Sequence, residues 1–538
     1  MGTGSLRAML QCVRTRGQAS RGLFLDRLER THYPVLCQME ICMVNVSGRL
    51  SSDGSRLVSA LLKREGHVVH LVFMSRTEPL LYQQEELERL RPLLDRSEIV
   101  MISVYSSYAV RAVQISDFVH EKFPGKKVFW GGPHCISVPE LGLRHADGVC
   151  YSEGDVAVTD LVRRISRGEE WSETANFAFR RNGENVRNAV LPPFRELDGL
   201  PYYDFDLRDQ YLLDHSLTQL TVEKLKERLA AYPYRIPTFY FMTSRGCPHN
   251  CAYCNNCRYT ALWGTTPVRL HGVERVIQEL EHHIANMPFI EFIGFGDDDF
   301  FMRPPRELQE FAAKYRARIG LPFGIAVSAR TWKLEKAEML LDSGLAMIQM
   351  GVQSGSQRVL DSVYNRYLDL SRVDAAVREI SGLAARGRRL NLHLDFIIDN
   401  PYETRDDIAK TFHYLLSTPW QARPNIFFLA YFPGTPLYER ALADGYIRAY
   451  SQQAFRPYTR SRLRYQKNWE TFLVLLLRSL RLARKHEGRA LRVFLRILGS
   501  RTVRTIMSCL PRAFFSGLAR LLQSFQAAMA ARKAGLFR

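Results

Sequence analysis

The chain has 538 residues, of which 74 are Lys or Arg and 55 are Asp or Glu, so its formal net charge is +19. At roughly 150 residues per domain, this length predicts three or four domains and excludes a peptide or a single small module. Hydrophobic residues make up 46% of the chain and charged residues 24%, which is typical of globular proteins and excludes a mainly disordered chain.

The positive charge is concentrated near the C-terminus. Residues 451–538 contain 19 Lys and Arg and two acidic residues, a net charge of +17. Residues 1–450 contain the remaining 55 basic and 53 acidic residues, a net charge of +2. An argument from overall charge to nucleic acid or to an anionic membrane therefore applies only to the C-terminal region.

The N-terminal part of the chain begins without a clear hydrophobic period, and a regular alternation follows. We interpret residues 1–37 as an extension and residues 38–170 as a flavodoxin-like, doubly wound α/β domain. Continuous β-branched runs that alternate with helical segments predict a parallel sheet covered on both faces. The five predicted strands cover residues 40–46, 67–73, 98–104, 127–130 and 147–151.

A second alternation follows an irregular stretch rich in Asn, Pro and Tyr. We interpret residues 171–236 as a linker with local structure and residues 237–450 as a partial (β/α)6 barrel. In such an architecture, chemistry is expected at the carboxyl ends of the strands. The six predicted strands cover residues 238–243, 289–295, 323–327, 347–352, 391–398 and 426–430.

Four of the ten cysteines lie within residues 247–257, which we name the cysteine loop. So few cysteines in a long chain do not predict a disulfide framework, and their clustering indicates metal or cluster ligation in a reducing compartment. Cys247, Cys251 and Cys254 have the spacing C-x3-C-x2-C, so each thiolate can bind one iron of a cubane cluster. The fourth iron then stays open to a small molecule. Cys257 leaves a four-cysteine zinc site as the alternative, although the position after a barrel strand favours the cluster.

With Tyr253 before the third cysteine, this spacing resembles the C-x3-C-x-aromatic-C signature of the radical S-adenosylmethionine (SAM) superfamily. Further segments resemble motifs of the same superfamily, and the resemblance covers residues 240–440. The segments depart from the usual patterns at Gln353, where many relatives have Glu, and at two glycines, which are replaced by Asp399 or Asn400 and by Tyr402. The matching segments are 295–300, Arg330, 351–356, 400–404 and 433–438.

The resemblance implies a specific chemistry and specific roles. In the superfamily, SAM binds the open iron of a [4Fe-4S] cluster, and an electron from the reduced cluster cleaves SAM to methionine and a 5′-deoxyadenosyl radical. Asp297 and Asp298 are the implied partners of the SAM amino group, and Arg330 of its carboxylate. Gln353 and Ser354 are the implied partners of the ribose hydroxyls. An ordinary strand-end hydrogen bond or a surface charge is the alternative for each.

The N-terminal domain resembles the cobalamin-binding class of that superfamily. Gly131, Gly132 and His134 match its turn after the fourth strand, and Glu153 and Gly154 match its Gly-Glu-Gly-Glu segment. Glycines at a strand end let the backbone approach a bulky cofactor closely. The resemblance therefore implies that this domain binds cobalamin.

The expected cobalamin site has no histidine to bind cobalt from below. The loop at residues 46–54 contains none, and His134 is expected in the turn or at the periphery of the cofactor. An inherited domain of this fold that holds no cofactor is the alternative.

The C-terminal region, residues 451–538, is predicted to be basic and all-α. Basic residues from Arg478 to Arg496 recur at steps of three or four, which places them on one helix face. Three interpretations stay open, namely helices packed on the barrel, a membrane-surface segment at residues 469–525, and RNA contact. RNA is the least favoured, because the region does not resemble the small β-barrel of RNA methylthiotransferases.

Two further features bear on location. No secretory signal is evident near the N-terminus, and the aliphatic run at residues 472–477 is far shorter than the ~20 apolar residues that span a membrane. We expect a cytoplasmic protein, with peripheral membrane contact as the open alternative.

The predicted function is that of a cobalamin-dependent radical SAM enzyme that methylates an unactivated carbon in a natural-product or lipid-like substrate. An electron donor such as flavodoxin or ferredoxin is implied. The alternatives are another radical outcome, such as cyclisation, ring contraction or oxidation, and a zinc-stabilised, membrane-docking protein without enzymatic activity. No residue is identified as catalytic from the sequence.

Overall fold

The computed structural model describes residues 38–51, 53–75, 80–230, 236–386, 390–448, 463–483 and 488–535. The extension expected at residues 1–37 lies outside this part of the chain. Two sheets, each with helices packed against it, form the α/β body, and a group of helices follows. The predicted fold class is confirmed.

The N-terminal sheet has a flavodoxin-like core. Its five central strands pair in parallel in the order β5-β4-β3-β1-β2, and a doubly wound sheet of this order binds ligands where the strand order reverses, between β1 and β3. The bounds of these strands are β1 Glu40–Asn45, β2 Val68–Met74, β3 Ile99–Ser103, β4 Lys127–Gly131 and β5 Gly148–Cys150.

Alternate residues of these strands enter two different apolar cores. Ile41 and Met43 pack in one core, whereas Cys42 and Val44 pack in the other. Period-2 alternation with both faces buried explains the continuous apolar runs of the sequence. The helices that cover the two faces are α1 Asp53–Arg64, α2 Gln84–Glu88, α3 Arg91–Arg96, α4 Ala109–Lys122, α5 Pro133–Ser137, α6 Pro139–Gly142 and α7 Ala157–Ser166.

The stretch expected to be a linker extends the N-terminal sheet at both edges. It contains β6 Phe177–Arg181, β7 Glu184–Arg187, β8 Gln210–Leu213, β9 Leu217–Gln219 and α8 Val222–Leu229. β6 pairs antiparallel with β5, and β8 pairs parallel with β2. The turn between β6 and β7 places Asn182 and Gly183 at positive φ, 51° and 85°. An Asn-Gly pair is typical of a tight hairpin turn. The short edge strands on either side of it have little periodicity.

The second sheet is entirely parallel, and its six strands lie in chain order, as expected of a partial (β/α)6 barrel. Its strands are β10 Thr238–Phe241, β13 Phe292–Phe295, β14 Phe323–Val327, β15 Leu345–Gln353, β16 Asn391–Ile398 and β17 Arg423–Phe428, with a small hairpin of β11 Ser244–Arg245 and β12 Arg269–Leu270. Its helices are α9 Asn256–Trp263, α10 Val273–Asn286, α11 Pro305–Arg318, α12 Leu334–Leu341, α13 Gln357–Ser362, α14 Leu370–Ala385, α15 Arg405–Ser417 and α16 Pro436–Ala443.

Within the described residues after the barrel, the helices are α17 Trp469–Ala483, α18 Arg489–Leu498, α19 Arg501–Met507 and α20 Arg512–Gly535. α17 packs on α15 and β17, and Leu473, Val474 and Leu477 are fully buried there. Arg481, which the helical pattern places on a basic face, is also buried. Its guanidinium donates to the carbonyls of Leu415 and Thr418 at the end of α15, where a cation stabilises carbonyls that have no partner within the helix.

The described part of α17 to α20 therefore combines a packed helix with more exposed ones. Among the described helices of the chain, none combines the length and the apolarity that crossing a membrane requires.

Candidate active site

The cysteine loop begins at the carboxyl end of β10. Between the strand and Cys247, Gly246 has a φ of 95°, and a side-chain Cβ at this position would collide with the carbonyl oxygen of Pro267. Only glycine fits this turn without strain. Cys251 and Cys257 are buried, whereas Cys247 and Cys254 are half-buried. The sequence prediction that this loop follows the first barrel strand agrees with the geometry.

Backbone contacts from the far side of the barrel hold the cysteine loop. The Ala252 amide donates to the Tyr364 carbonyl at 2.8 Å, and the Ala252 carbonyl accepts from the Leu437 amide at 3.0 Å. The side-chain amide of Asn365 donates to the Asn250 carbonyl at 2.9 Å. The loop thus contacts both the segment after α13 and the start of α16.

Unsatisfied buried donors surround this loop. Within the described residues, Nε of Arg366, Nε of Arg258 and Nε2 of His249 are buried without a hydrogen-bond partner. Such groups are rare because each costs free energy. Three of them at one loop that carries four half-buried or buried cysteines fit an anionic group bound to thiolates. The residues present therefore fit an iron–sulfur cluster.

Arg366 makes the closest of these contacts. Its guanidinium lies 3.6 Å from Sγ of Cys251, donates to the hydroxyl of Tyr253 at 3.0 Å, and donates to the Gly351 carbonyl at 2.8 Å. Sequence reasoning missed Arg366. No motif marks it, and only its place between Asn365 and Tyr367, both at positive φ, distinguishes its loop.

The thiols of Cys247 and Cys254 are disfavoured as thiolates. Burial, together with the nearby Asp298 carboxylate, raises the pKa of each to about 12. Ligation must therefore compensate the thiolate charge. In the described part of the chain, no group of three His, Cys, Asp or Glu side chains is close enough to hold a single metal ion.

The three acidic residues after β13 point in alternate directions. Asp297 is buried and accepts hydrogen bonds from the hydroxyls of Thr243, at 3.1 Å, and Ser244. Asp299 is also buried and accepts from the Thr331 hydroxyl. Burial raises the pKa of both carboxyls to about 6.

Asp298, between them, is solvent-accessible, and its charge acts on Cys247 and Cys254. Of the two acids that the sequence assigns to the SAM amino group, the structure brings only Asp298 to face the cysteine loop. Asp297 instead holds the end of β10 in place.

Arg330 and Gln353 lie close to the same loop. The Arg330 guanidinium is 3.5 Å from Nδ1 of His249 and is otherwise exposed. Gln353 has a φ of 75°, and its side-chain amide folds over Gly351, where an added Cβ would lie 2.5 Å from it. Arg330 thus contacts the cysteine loop directly, whereas Gln353 lies beside Gly351, whose carbonyl accepts from Arg366.

Ser354 lies away from this site. It is fully buried, and its hydroxyl contacts the Glu403 carboxyl at 3.4 Å and the Thr411 hydroxyl at 3.3 Å. These contacts hold β15 against α15. The structure does not bring the Ser354 hydroxyl to the cysteine loop.

The concave face of the barrel carries a polar cluster that sequence reasoning also missed. Asp395 accepts hydrogen bonds from the side-chain amides of Gln349, at 2.7 Å, and Asn425, at 2.9 Å. Burial raises the pKa of Asp395 to about 6. The signal was the alternation of polar and apolar residues along β16, which the sequence prediction treated only as a strand.

The turn after β4 has the geometry of a close backbone approach. Gly132 has a φ of 99°, and an added Cβ would lie 2.9 Å from the Val104 carbonyl oxygen. A Cβ added at Gly131 would meet only the Cβ of Cys150 among the described residues, at 3.8 Å. The turn therefore leaves open space on that side.

His134 is fully buried behind this turn. Its Nδ1 lies 3.1 Å from the Ser106 hydroxyl, and burial lowers its pKa to about 4. The structure therefore places His134 inside the turn and not in the open space beside it.

Glu153 and Gly154 lie in the loop after β5. Glu153 is held by Arg269 and by the Phe194 amide, at 2.8 Å each, and an added Cβ at Gly154 would lie 3.2 Å from Val158. Glu153 thus faces the barrel and pairs with a cation there.

These geometric features agree with comparisons to known proteins. Residues 241–415 match the model of the radical SAM superfamily. The chain therefore contains a radical SAM domain, and the resemblance inferred from the cysteine spacing is confirmed.

Several curated proteins are similar to the chain over more than the barrel. It is 26% identical over 354 residues to the uncharacterized methyltransferase PH0819 of Pyrococcus horikoshii, covering 64% of this chain and 68% of that protein. It is 23% identical over 363 residues to the cobalamin-dependent radical SAM methyltransferase TokK of Streptomyces tokunonensis, covering 63% of this chain but only 48% of TokK.

Solved structures share the fold. A structure of the radical SAM methyltransferase TsrM from Kitasatospora setae, with tryptophan and a SAM analogue bound, has a TM-score of 0.60 at 14% identity and covers 76% of each chain. OxsB, a cobalamin-dependent SAM radical enzyme with aqua-cobalamin and SAM bound, has a TM-score of 0.57 at 19% identity and covers 76% of this chain and 56% of OxsB.

The cysteine assignment leads to a prediction about iron content. Cys251→Ala should remove the iron after anaerobic reconstitution, because it deletes one of three ligands, whereas Cys257→Ala should retain it. Iron per chain and the visible absorption of the cluster measure both. Equal loss of iron in the two variants would contradict a three-cysteine site, and Cys42→Ala, which alters a buried cysteine of the N-terminal sheet, is the control.

Proposed function

We propose that the chain is a cobalamin-dependent radical SAM methyltransferase that acts on an unactivated carbon of a small molecule. The observation that carries the proposal is the position of the cysteine loop directly beside the Gly131–Gly132 turn of a flavodoxin-like sheet. The Nε atoms of Arg366 and Arg258 at this loop are buried without a hydrogen-bond partner. Asn255, adjacent to Cys254, donates to the Pro133 carbonyl of that turn at 3.1 Å. Two sites suited to two cofactors thus share one interface.

The cofactors would supply the reactive chemistry. A [4Fe-4S] cluster on Cys247, Cys251 and Cys254 would deliver the electron that cleaves SAM, and cobalamin on the N-terminal sheet would supply the methyl group. The protein's own residues bind and orient the reactants. Methylation as the outcome is supported by the similarity to PH0819 and TokK, both described as methyltransferases. Cyclisation, ring contraction and oxidation are the alternative outcomes.

Four residues of the chain have proposed roles at SAM. The Asp298 carboxylate faces the loop and would accept from the amino group, and the Arg330 guanidinium would bind the carboxylate. Gln353 would contact the ribose, and the ring of Tyr253, packed against Tyr364 with centroids 5.1 Å apart, would limit the site. Asp297 and Ser354 are proposed only to hold the strand ends.

The roles of the neighbouring acids can be separated by matched substitutions. Asp298→Asn should raise the KM for SAM about tenfold or more, because it removes a charge-assisted hydrogen bond, with little change in thermal unfolding. Asp297→Asn should lower the unfolding temperature, because a buried acceptor is altered. SAM cleavage kinetics and calorimetry measure the two effects, and the reverse pattern would contradict the assignment.

The whole proposal is tested by anaerobic reconstitution with iron, sulfide and hydroxocobalamin. The purified protein should bind about four irons per chain, retain cobalamin through gel filtration, and form 5′-deoxyadenosine from SAM after reduction. A protein that binds zinc in preference to iron and leaves SAM intact would instead support the non-enzymatic alternative. Reduced flavodoxin or ferredoxin should replace the chemical reductant if either is the electron donor.

We also propose that this enzyme is cytoplasmic and that its C-terminal helices contact an anionic membrane, where a lipid-like substrate would be available. Among the described residues, eight of the thirteen exposed large hydrophobic side chains lie between Leu482 and Leu521. On α18, Phe494 is 54% exposed and Ile497 55% exposed, beside the exposed Arg489 and Arg496. Apolar side chains bordered by cations suit the surface of an anionic bilayer.

Vesicle flotation tests this contact. The protein should float with vesicles of phosphatidylcholine and phosphatidylserine but not with phosphatidylcholine alone. Phe494→Ser together with Ile497→Ser should abolish flotation, since apolar insertion is lost. Val222→Ser, which alters an equally exposed side chain on α8, is the control. Flotation that survives the double change, or concentration-dependent dimerisation in place of flotation, would contradict the proposal.

A further inference from the structure

The cysteine loop is tied at both ends to the N-terminal sheet. Two residues before Cys247, Arg245 forms a bidentate pair with Asp155, with Nη1–Oδ2 and Nη2–Oδ1 distances of 2.8 and 2.9 Å. Directly after Cys254, Asn255 accepts from the Ser137 hydroxyl at 2.7 Å and donates to the Pro133 carbonyl at 3.1 Å. The contacts therefore flank the ligand-bearing segment.

The charges at the first of these contacts are balanced and largely buried. Arg245 and Arg269 are direct neighbours across the β11–β12 hairpin, and two cations so placed repel each other. Asp155 pairs with Arg245, and Glu153 pairs with Arg269 at 2.8 Å, so the N-terminal domain supplies both anions. Asp155 is 8% exposed and Arg269 is 9% exposed. Solvent and salt screen buried pairs only weakly, and the planar guanidinium fixes their direction.

Asp155 and Pro133, the two contact points on the N-terminal sheet, lie at the same edge of that sheet. Asp155 follows β5, and Pro133 follows the Gly131–Gly132 turn of β4. Both lie at the carboxyl ends of parallel strands, which is the edge where a doubly wound sheet binds its ligand. The contacts thus join the ligand edge of one sheet to the ligand loop of the other.

We infer that Arg245, Asp155 and Asn255 are positioning residues that fix the separation between SAM at the cysteine loop and cobalamin at the N-terminal sheet. The inference rests on the proposed function and concerns one step of it. Reductive cleavage of SAM needs only the barrel. Transfer of the SAM methyl group to cobalamin needs both sides at the correct distance, so it depends on these contacts.

The two reactions of SAM leave different products. In methyl transfer, the reduced cobalt(I) centre supplies the electron pair of the new bond to carbon, and the methyl C–S bond breaks with its electrons on sulfur, which gives S-adenosylhomocysteine. In reductive cleavage, one electron breaks the C5′–S bond, which gives methionine and, after gain of a hydrogen atom, 5′-deoxyadenosine. The ratio of S-adenosylhomocysteine to 5′-deoxyadenosine therefore measures whether the two sites are correctly positioned relative to each other.

The experiment uses the reconstituted holoenzyme with titanium(III) citrate as reductant and SAM as the only added substrate. Arg245→Gln and Asn255→Ala should each slow first-turnover formation of S-adenosylhomocysteine about tenfold to a hundredfold, since small misplacements of reacting atoms carry penalties of that size. Formation of 5′-deoxyadenosine, iron content and cobalamin content should not change. Arg318→Gln, which removes another bidentate arginine on the surface of the barrel, should leave both products unchanged.

Unfolding of the cofactor-free protein provides a second measurement. Asp155→Asn and Arg245→Gln should each lower the Tm, and the double change should lower it by less than the sum, as expected for a direct pair. Arg245→Lys keeps the charge but cannot bind in a bidentate manner, so it should restore the Tm more than the product ratio.

The outcomes separate the inference from the function on which it rests. A wild-type holoenzyme that forms neither product would refute the proposed function. A wild-type enzyme that forms both, together with variants at both ends whose product ratio is unchanged, would refute the positioning role alone. If Arg245→Gln and Asn255→Ala each lowered both products in the same proportion, the inference would also be overturned, because that result indicates a general structural defect.

Discussion

Buried charge must be paired, and this constraint determines how the two α/β units meet. Removing a charged group from water costs several kcal/mol unless an opposite charge or several hydrogen bonds compensate it. Arg245 and Arg269 meet that requirement with two carboxylates of the N-terminal sheet. Arg366 and Arg258 meet it only in part among the described residues. Ion pairs therefore join the two units, and the unpaired nitrogen atoms at the cysteine loop favour an anionic group there.

The position of the reactive site follows from the direction of the strands. In both sheets the central strands are parallel, so all their carboxyl ends lie at one edge, and loops from different strands converge there. The cysteine loop follows β10, the glycine turn follows β4, and a short path of side-chain contacts joins them. Cofactors on the two edges would therefore lie close to these contacts.

Several features could be predicted from the sequence because local pattern determines them. The strands at residues 323–327 and 391–398 were predicted with their observed bounds, since the first is a continuous apolar run and the second alternates polar and apolar residues. The three cysteines and Tyr253 were recognised by spacing alone. The edge strands at residues 177–219 were not predicted, because short strands carry little periodicity. Asp297 and Asp298 could not be distinguished either, since one residue of register decides which side chain faces the site.

The sequence by itself determined the α/β class, the cysteine spacing on which the proposed cluster ligands rest, and the concentration of positive charge after residue 450, because these depend on residue type and spacing. Only the tertiary structure decided that Arg481 is buried, that Ser354 holds a helix, and that Arg366 lies beside Cys251. Each of these depends on contacts between residues distant in the chain. The tertiary structure also decides where the basic residues behind the +19 charge lie. Arg481 is buried in the fold, whereas Arg489 and Arg496 on α18 are exposed.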